Sequence, residues 1–278
     1  MSETRRRKPV PPAAAVVKAP AAKTRFPASA SKAKAPADKA HRPREPAAKA
    51  SPAKAPAETP AVLRISSRNY SSWSMRGWLI TRLSGLPFKK DIVSPDDPAT
   101  RAELLLQSSS ILIPSLEHDG AEIWDTLGIA EYLNEIRPEA RLLPADRIAR
   151  ARCRAICGEM HAGFHALRSS LPMNLRLVVP GFTIWSAARA DLERIMLLWR
   201  DCLATWGGPW LFGDKPTVAD AMYAPVVMRC RTYGVELDAV CEAYAETILA
   251  WPDVQSWIAL AKEEPEARIT ELEFDAEF

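Results

Sequence analysis

Residues 113–133, Ile-Pro-Ser-Leu-Glu-His-Asp-Gly-Ala-Glu-Ile-Trp-Asp-Thr-Leu-Gly-Ile-Ala-Glu-Tyr-Leu, decide how the chain folds. They continue an apolar run from Ile111 to Leu116 with strand character, interrupted by Pro114, which removes a ladder donor. His118-Asp119-Gly120 is a tight turn with glycine where positive φ is wanted, so Ala121 to Trp124 returns as the second strand of a hairpin. Thr126 is a helix-capping residue, and a helix runs from it through Ile136 to stop before Pro138.

Upstream, Val62 to Ser66 is a short β-like run, followed by the polar stretch Ser67 to Ser74. Met75 to Leu83 carries Leu79, Ile80 and Leu83 at helical spacing, and Gly85 closes it as a C-terminal cap. Phe88 to Val93 is a second strand, and Asp97-Pro98 opens a helix that runs to about Gln107. The order βαβαββα fills one half of the folded part, residues 61–140. After Pro144 the period is helical throughout: a long helix from Arg147 to Leu167, breaks at Pro172 and Pro180-Gly181, then helices over Arg189–Trp206, Pro216–Tyr233, Glu242–Ala250 and Pro252–Ala261. This all-α half spans 145–265, with a short tail over 266–278.

The chain has 278 residues, and its first 60 are of another kind, mostly Ala, Pro and Lys. That stretch cannot bury enough apolar surface to offset chain entropy and reads as a disordered tail. It holds 14 Lys and Arg against four Asp and Glu, whereas the other residues hold 23 against 30, so the net charge of +3 divides into a basic tail and an acidic body. The tail reads as a solvated extension, or as a weak, phosphate-directed nucleic-acid contact. A transit peptide fits worse, because dense proline opposes an amphipathic helix. No apolar run reaches the ~20 residues of a membrane helix, and the N-terminus lacks the apolar core of a secretory signal. Five cysteines, an odd number spread through the chain, point to a reducing cytoplasm and not to a disulfide framework.

Three local patterns narrow the fold. Ser71-Ser72-Trp73-Ser74-Met75-Arg76 follows the first strand. Ile113-Pro114-Ser115-Leu116 is succeeded by Asp119-Gly120 and by Asp125-Thr126, with Ile129, Tyr132 and Leu133 beyond them. Thr217-Val218-Ala219-Asp220 has capping-box spacing before an apolar helix. In this order and at these separations the patterns resemble the serine-type glutathione S-transferase family, nearest to its zeta class, the maleylacetoacetate isomerases. The match spans about 61–265. It implies an α/β thioredoxin-like N-terminal domain joined to an all-α C-terminal helical domain, a homodimer, and glutathione as co-substrate.

The resemblance also implies roles. Ser71 corresponds to the thiol-activating serine, and Ser72 is the neighbour that could stand in for it. A hydroxyl donor and the positive end of a helix dipole both favour a bound thiolate over the thiol. On the residues alone, the serines could equally be the cap of the first helix. Pro114 is expected to be cis, with Ile113 offering its backbone to the cysteinyl part of glutathione. Asp125 would take the α-ammonium of the γ-glutamyl end, and Thr126 its carboxylate at a helix start. Thr217 and Asp220 are read as structural.

The pattern also departs from the family. Trp73 stands where the zeta class has cysteine, which argues against isomerase activity. Thr126 replaces a serine, and Leu112 a polar residue. Cys153, Cys157, His161 and His165 form an i, i+4 ladder, but twelve residues of helix span roughly 18 Å, too far for four ligands to meet one metal ion. That face, with Phe164, Arg168, Met173 and Asn174, is expected to line the pocket for the electrophile. The reading is thus a glutathione transferase that activates the thiol for attack on an electrophilic small molecule. Its rival is a non-catalytic binding or scaffold protein whose basic tail contacts nucleic acid or a partner.

Overall fold

The computed structural model describes residues 60–94, 97, 110 and 112–265. The expected helix after Asp97-Pro98, the start of the strand at Ile111, and both tails lie outside the described residues. Four strands, β1 (Ala61–Ile65), β2 (Phe88–Ile92), β3 (Ser115–His118) and β4 (Ala121–Ile123), form one mixed sheet in the order β2-β1-β3-β4. β1 pairs parallel to β2 and antiparallel to β3, with Leu63 opposite both Lys90 and Leu116. Alternate residues of β1, Ala61, Leu63 and Ile65, are fully buried, as the period of two requires for a strand with one face on a core. β3 begins only at Ser115, just past Pro114, which has no N–H to give to a ladder.

Helix α1 (Ser72–Ser84) follows β1 after a six-residue polar connection and is buried on nearly every side. It packs against α2 (Thr126–Ile136), and also against two helices of the second half, α6 (Val218–Tyr233) and α8 (Pro252–Glu263). Gly77 is where α1 meets the Ile113–Pro114 turn: a Cβ there would lie 2.6 Å from Pro114 Cγ, so only glycine allows this approach. The Ile113–Pro114 peptide is cis, as the resemblance implied. Asp125, not Thr126, caps α2, its carboxylate accepting from the Leu127 N–H. Thr126 is the first helical residue, one position later than its residue type suggested.

The second half comprises α3 (Arg147–Ala162), α4 (His165–Ser170), α5 (Ser186–Trp206), α6, α7 (Ala239–Ala250) and α8. The single helix expected over Arg147–Leu167 is in fact two. Gly163 caps α3, and Phe164 at φ 59° turns the chain into α4. The apolar period continues across the break because Met160, Phe164 and Leu167 all reach the same core. The central α6 is buried along almost its whole length, and its start is the expected capping box of Thr217 and Asp220. No described helix is long and apolar enough to cross a membrane.

Candidate active site

Ser71 occupies the N-cap of α1 with extended backbone, and its Oγ accepts from Ser74 N–H at 3.2 Å. Capping uses a lone pair of the hydroxyl and leaves its proton available to a ligand. The side chain is half-buried and sits at the N-terminus of α1, the positive end of the helix dipole. Ser72 is placed quite differently. It is fully buried, and its Oγ accepts from Arg76 at 3.0 Å and from Arg229 of α6 at 3.1 Å. The proposed stand-in therefore faces the interior, where it joins two guanidiniums from opposite halves of the fold.

Trp73 projects between cations. The Arg76 guanidinium lies 4.5 Å and that of Arg168 5.4 Å from its ring. Such stacking holds each guanidinium plane, whose N–H edge donates hydrogen bonds to oxygen acceptors; that edge of the buried Arg76 donates within the protein, to Ser72 and Met222. Arg76 is anchored further by donating to the Met222 carbonyl at 2.8 Å, and Arg168 by donating to His165 Nδ1 at 2.8 Å. His161 packs on Trp73 at 5.3 Å, and its Nε2 lies 2.6 Å from Asp125 Oδ2. This contact between α3 and the start of α2 was not foreseen, since nothing local in the sequence couples residues 36 positions apart.

Thr126 is fully buried, and its Oγ1 has no partner among the described residues. An unpaired buried hydroxyl costs about 1–3 kcal/mol, so a ligand atom there would remove a penalty the fold otherwise carries. Ile113 is half-buried beside the cis peptide.

The four residues expected to line the electrophile pocket part company. Arg168 stands by Trp73, but Phe164 and Met173 belong to the hydrophobic core. Asn174 uses its Oδ1 to accept from Asn69 Nδ2 at 3.0 Å, and from Arg176 N–H at 3.1 Å. Burial and hydrogen bonding thus assign those three to packing, with the break at Gly163 turning Phe164 inward.

All five cysteines are buried and free. Hydrogen bonding to Cys153 and burial push the Cys157 thiol up, and burial pushes those of Cys202, Cys230 and Cys241 up to about 12. Those four are poor thiolates at neutral pH.

Two family models match in tandem: "Glutathione S-transferase, N-terminal domain" over 70–136 and "Glutathione S-transferase, C-terminal domain" over 149–259. Maleylacetoacetate isomerase of Rhizobium meliloti (strain 1021) is 33% identical over 182 residues, covering 61% of this chain and 82% of the relative. The chain belongs to the glutathione S-transferase family. Its zeta-class affinity is carried by further relatives of the same name, such as the Pseudomonas aeruginosa protein, 27% identical over 56% of this chain and 69% of its own length. Among solved structures, a maleylacetoacetate isomerase from Anaeromyxobacter dehalogenans 2CP-1 is 26% identical with a TM-score of 0.53, covering 74% of this chain and 94% of that one. It holds dicarboxyethyl glutathione and citrate in its active site. A glutathione transferase homolog from Burkholderia with bound glutathione, at 24% identity and a TM-score of 0.58, shares the fold over 74% of this chain and all of its own.

These relatives correct one expectation. Trp73 in place of cysteine argued against isomerase activity, yet the related proteins are named maleylacetoacetate isomerase, and one from Ralstonia maleylpyruvate isomerase. The objection fails chemically as well. The sulfur that must add to the substrate in a glutathione-dependent isomerisation is glutathione's own, so a protein cysteine beside it is not required. The non-catalytic alternative draws no support from the comparisons.

Proposed function

We propose that this glutathione S-transferase is a glutathione-dependent isomerase of unsaturated dicarboxylic acids of the maleylacetoacetate type. The observation that carries the reading is the first turn of α1. There a half-buried N-cap serine stands two residues from a tryptophan flanked by the Arg76 and Arg168 guanidiniums. The first feature suits a thiolate, the second a carboxylate held within reach of it. The dicarboxyethyl glutathione in the Anaeromyxobacter relative is a sulfur-linked dicarboxylic acid, in keeping with that pairing.

Glutathione supplies a thiol that can add reversibly to an electron-poor C=C bond, which then turns as a single bond before the sulfur leaves. The chain's residues do the rest. Ser71 Oγ–H donates a hydrogen bond to the sulfur and keeps its proton, and the α1 N-terminus adds a positive field; both favour the thiolate, whose proton leaves to solvent. Ile113 offers backbone groups beside Pro114. Thr126 Oγ1 meets the γ-glutamyl carboxylate, and Asp125 the α-ammonium, with His161 fixing the Asp125 carboxylate. Arg168 holds a substrate carboxylate and draws charge away from the carbon under attack. This reading places the glutathione-binding domain over 61–140 and the helical domain over 145–265, in a cytoplasmic homodimer whose state size-exclusion chromatography with light scattering would check.

The test is cis–trans isomerisation of maleylacetoacetate or maleylpyruvate, followed by ultraviolet absorbance with and without glutathione. Turnover that requires glutathione and falls about tenfold or more in kcat/KM for Arg168→Met supports the reading. Glutathione conjugation of an aromatic halide without isomerisation of either dicarboxylate would leave a transferase and overturn the isomerase.

A further inference from the structure

Ser71 is held from behind by the far end of the chain. The turn that delivers it, Ser67 to Ser71, closes through Ser71 N–H donating to the Ser67 carbonyl at 3.1 Å. Inside the turn, Ser67 Oγ accepts from the N–H groups of Asn69 and Tyr70, each at 3.2 Å. The Glu264 carboxylate, at the C-terminus of α8 and nearly 200 positions away, accepts from three donors of this turn, one of them the Asn69 N–H that Ser67 Oγ shares. Its Oε2 accepts from Ser67 Oγ at 2.9 Å and Asn69 N–H at 3.0 Å, and its Oε1 accepts from Arg68 N–H at 3.1 Å. Trp257 of α8 adds an Nε1–H bond to the Arg68 carbonyl at 3.0 Å.

Glu264 is itself fixed. Arg176 donates to the Ala261 carbonyl at 2.7 Å and to the Glu264 carbonyl, tying down the end of α8. The fully buried Asn69 completes the clasp, its Oδ1 accepting from Leu175 N–H at 2.9 Å and its Nδ2 donating to Asn174. Charge-assisted bonds to backbone N–H groups are about twice as strong as neutral ones. Two of them, from Arg68 and Asn69, and a third charge-assisted bond from the Ser67 hydroxyl converge on the segment that aims Ser71.

We propose that Glu264 is a positioning residue for Ser71: through the Ser67–Asn69 turn it sets where the thiol-activating hydroxyl sits. The proposal rests on the thiolate role given to Ser71 above. Removing the carboxylate frees three donors and lets the turn relax, moving Ser71 Oγ away from the sulfur while leaving the glutathione contacts at Ile113 and Thr126 in place. The deficit should therefore fall on thiol ionisation and kcat, not on glutathione binding.

The experiment compares wild type with Glu264→Ala, Glu264→Gln and Asp253→Ala in the full-length chain. Asp253 anchors α8 to α1 by a separate ion pair, 2.9 Å from Arg82 Nε, and controls for loosening of the helix. Four quantities are read: the thermal midpoint, the glutathione Kd by calorimetry, kcat for isomerisation, and the pKa of bound glutathione from thiolate absorbance. Glu264→Ala should raise that pKa by about one unit and lower kcat about tenfold, with glutathione Kd changed less than about threefold. Glu264→Gln, which keeps one acceptor oxygen, should fall between, and Asp253→Ala should lower the midpoint without moving the pKa. If Glu264→Ala leaves pKa and kcat at wild-type values, or changes them only as Asp253→Ala does, the positioning role is overturned. A wild-type chain whose bound glutathione ionises like free thiol would instead remove the function proposed for Ser71, and this inference with it.

Discussion

Among the described residues, two helices carry a hydroxyl residue at the N-cap, Ser71 at α1 and Thr217 at α6, and the two caps are completed differently. At α6 the Thr217–Asp220 box is sealed: Asp220 Oδ2 accepts from Thr217 N–H and Oγ1, and Oδ1 from Leu211 N–H and the Tyr244 hydroxyl. Every lone pair is used, and no water-facing surface remains on the carboxylate. At α1, Ser71 accepts a single bond from Ser74 and stays half-exposed. One cap is closed off by the protein, and the other keeps a half-exposed hydroxyl. Similar local chemistry thus makes a fully paired pin in one place and, in the proposed function, a thiol-activating hydroxyl in the other. What separates them is whether the surrounding fold has used up the polar groups.

The comparison can be broken from either side. Asp220→Ala leaves four buried donors without an acceptor and should cost about 3–5 kcal/mol of stability, read by chemical denaturation. Its folded fraction should bind glutathione with wild-type affinity, and weakened binding there would mean the two caps are not separable. Ser71→Ala should do the reverse. Losing the cap costs about 1 kcal/mol in stability, while turnover falls about 100-fold or more. A loss of turnover that followed the loss of stability would return Ser71 to an ordinary cap.

Between the two lies Gly77, in the same helix as Ser71 but pressed on Pro114. Gly77→Ala forces that contact apart at a cost of about 1–3 kcal/mol, and should raise glutathione KM more than it lowers kcat. The smallest effect is one of pH. Burial pushes the Asp220 carboxyl above its ordinary value, so the folded chain takes up this proton more readily than the unfolded one. A group raised in this way stabilises the fold below its unfolded pKa, and that contribution is lost as pH rises through the raised folded value. The stability gap between wild type and Asp220→Ala should therefore widen as pH is lowered through that window. A gap that is flat or narrows on acidification would contradict the assigned direction.

Much of the fold was legible because its signals are local. The Asp119-Gly120 turn, the helix from Thr126 to Ile136 and the strand at Phe88 are written in adjacent residues. The break at Gly163 was hidden because Phe164 and Leu167 keep the apolar period while the backbone does not. Of the proposed site, Ser71, Pro114 and Asp125–Thr126 were named through their resemblance to a family pattern. The burial of Ser72, offered as a stand-in for Ser71, was not legible, since its partners Arg76 and Arg229 come from different halves of the molecule. The His161–Asp125 contact and the Glu264 clasp left no trace in spacing or composition. Each joins residues that only the completed fold brings together.

The central claim is that Ser71 holds bound glutathione as a thiolate. The most direct measurement is an ultraviolet titration of thiolate absorbance for glutathione bound to wild type and to Ser71→Ala. The account predicts ionisation well below the free-thiol range in wild type and a return toward that range in Ser71→Ala, with glutathione still bound. Equal titration curves for the two proteins would contradict it.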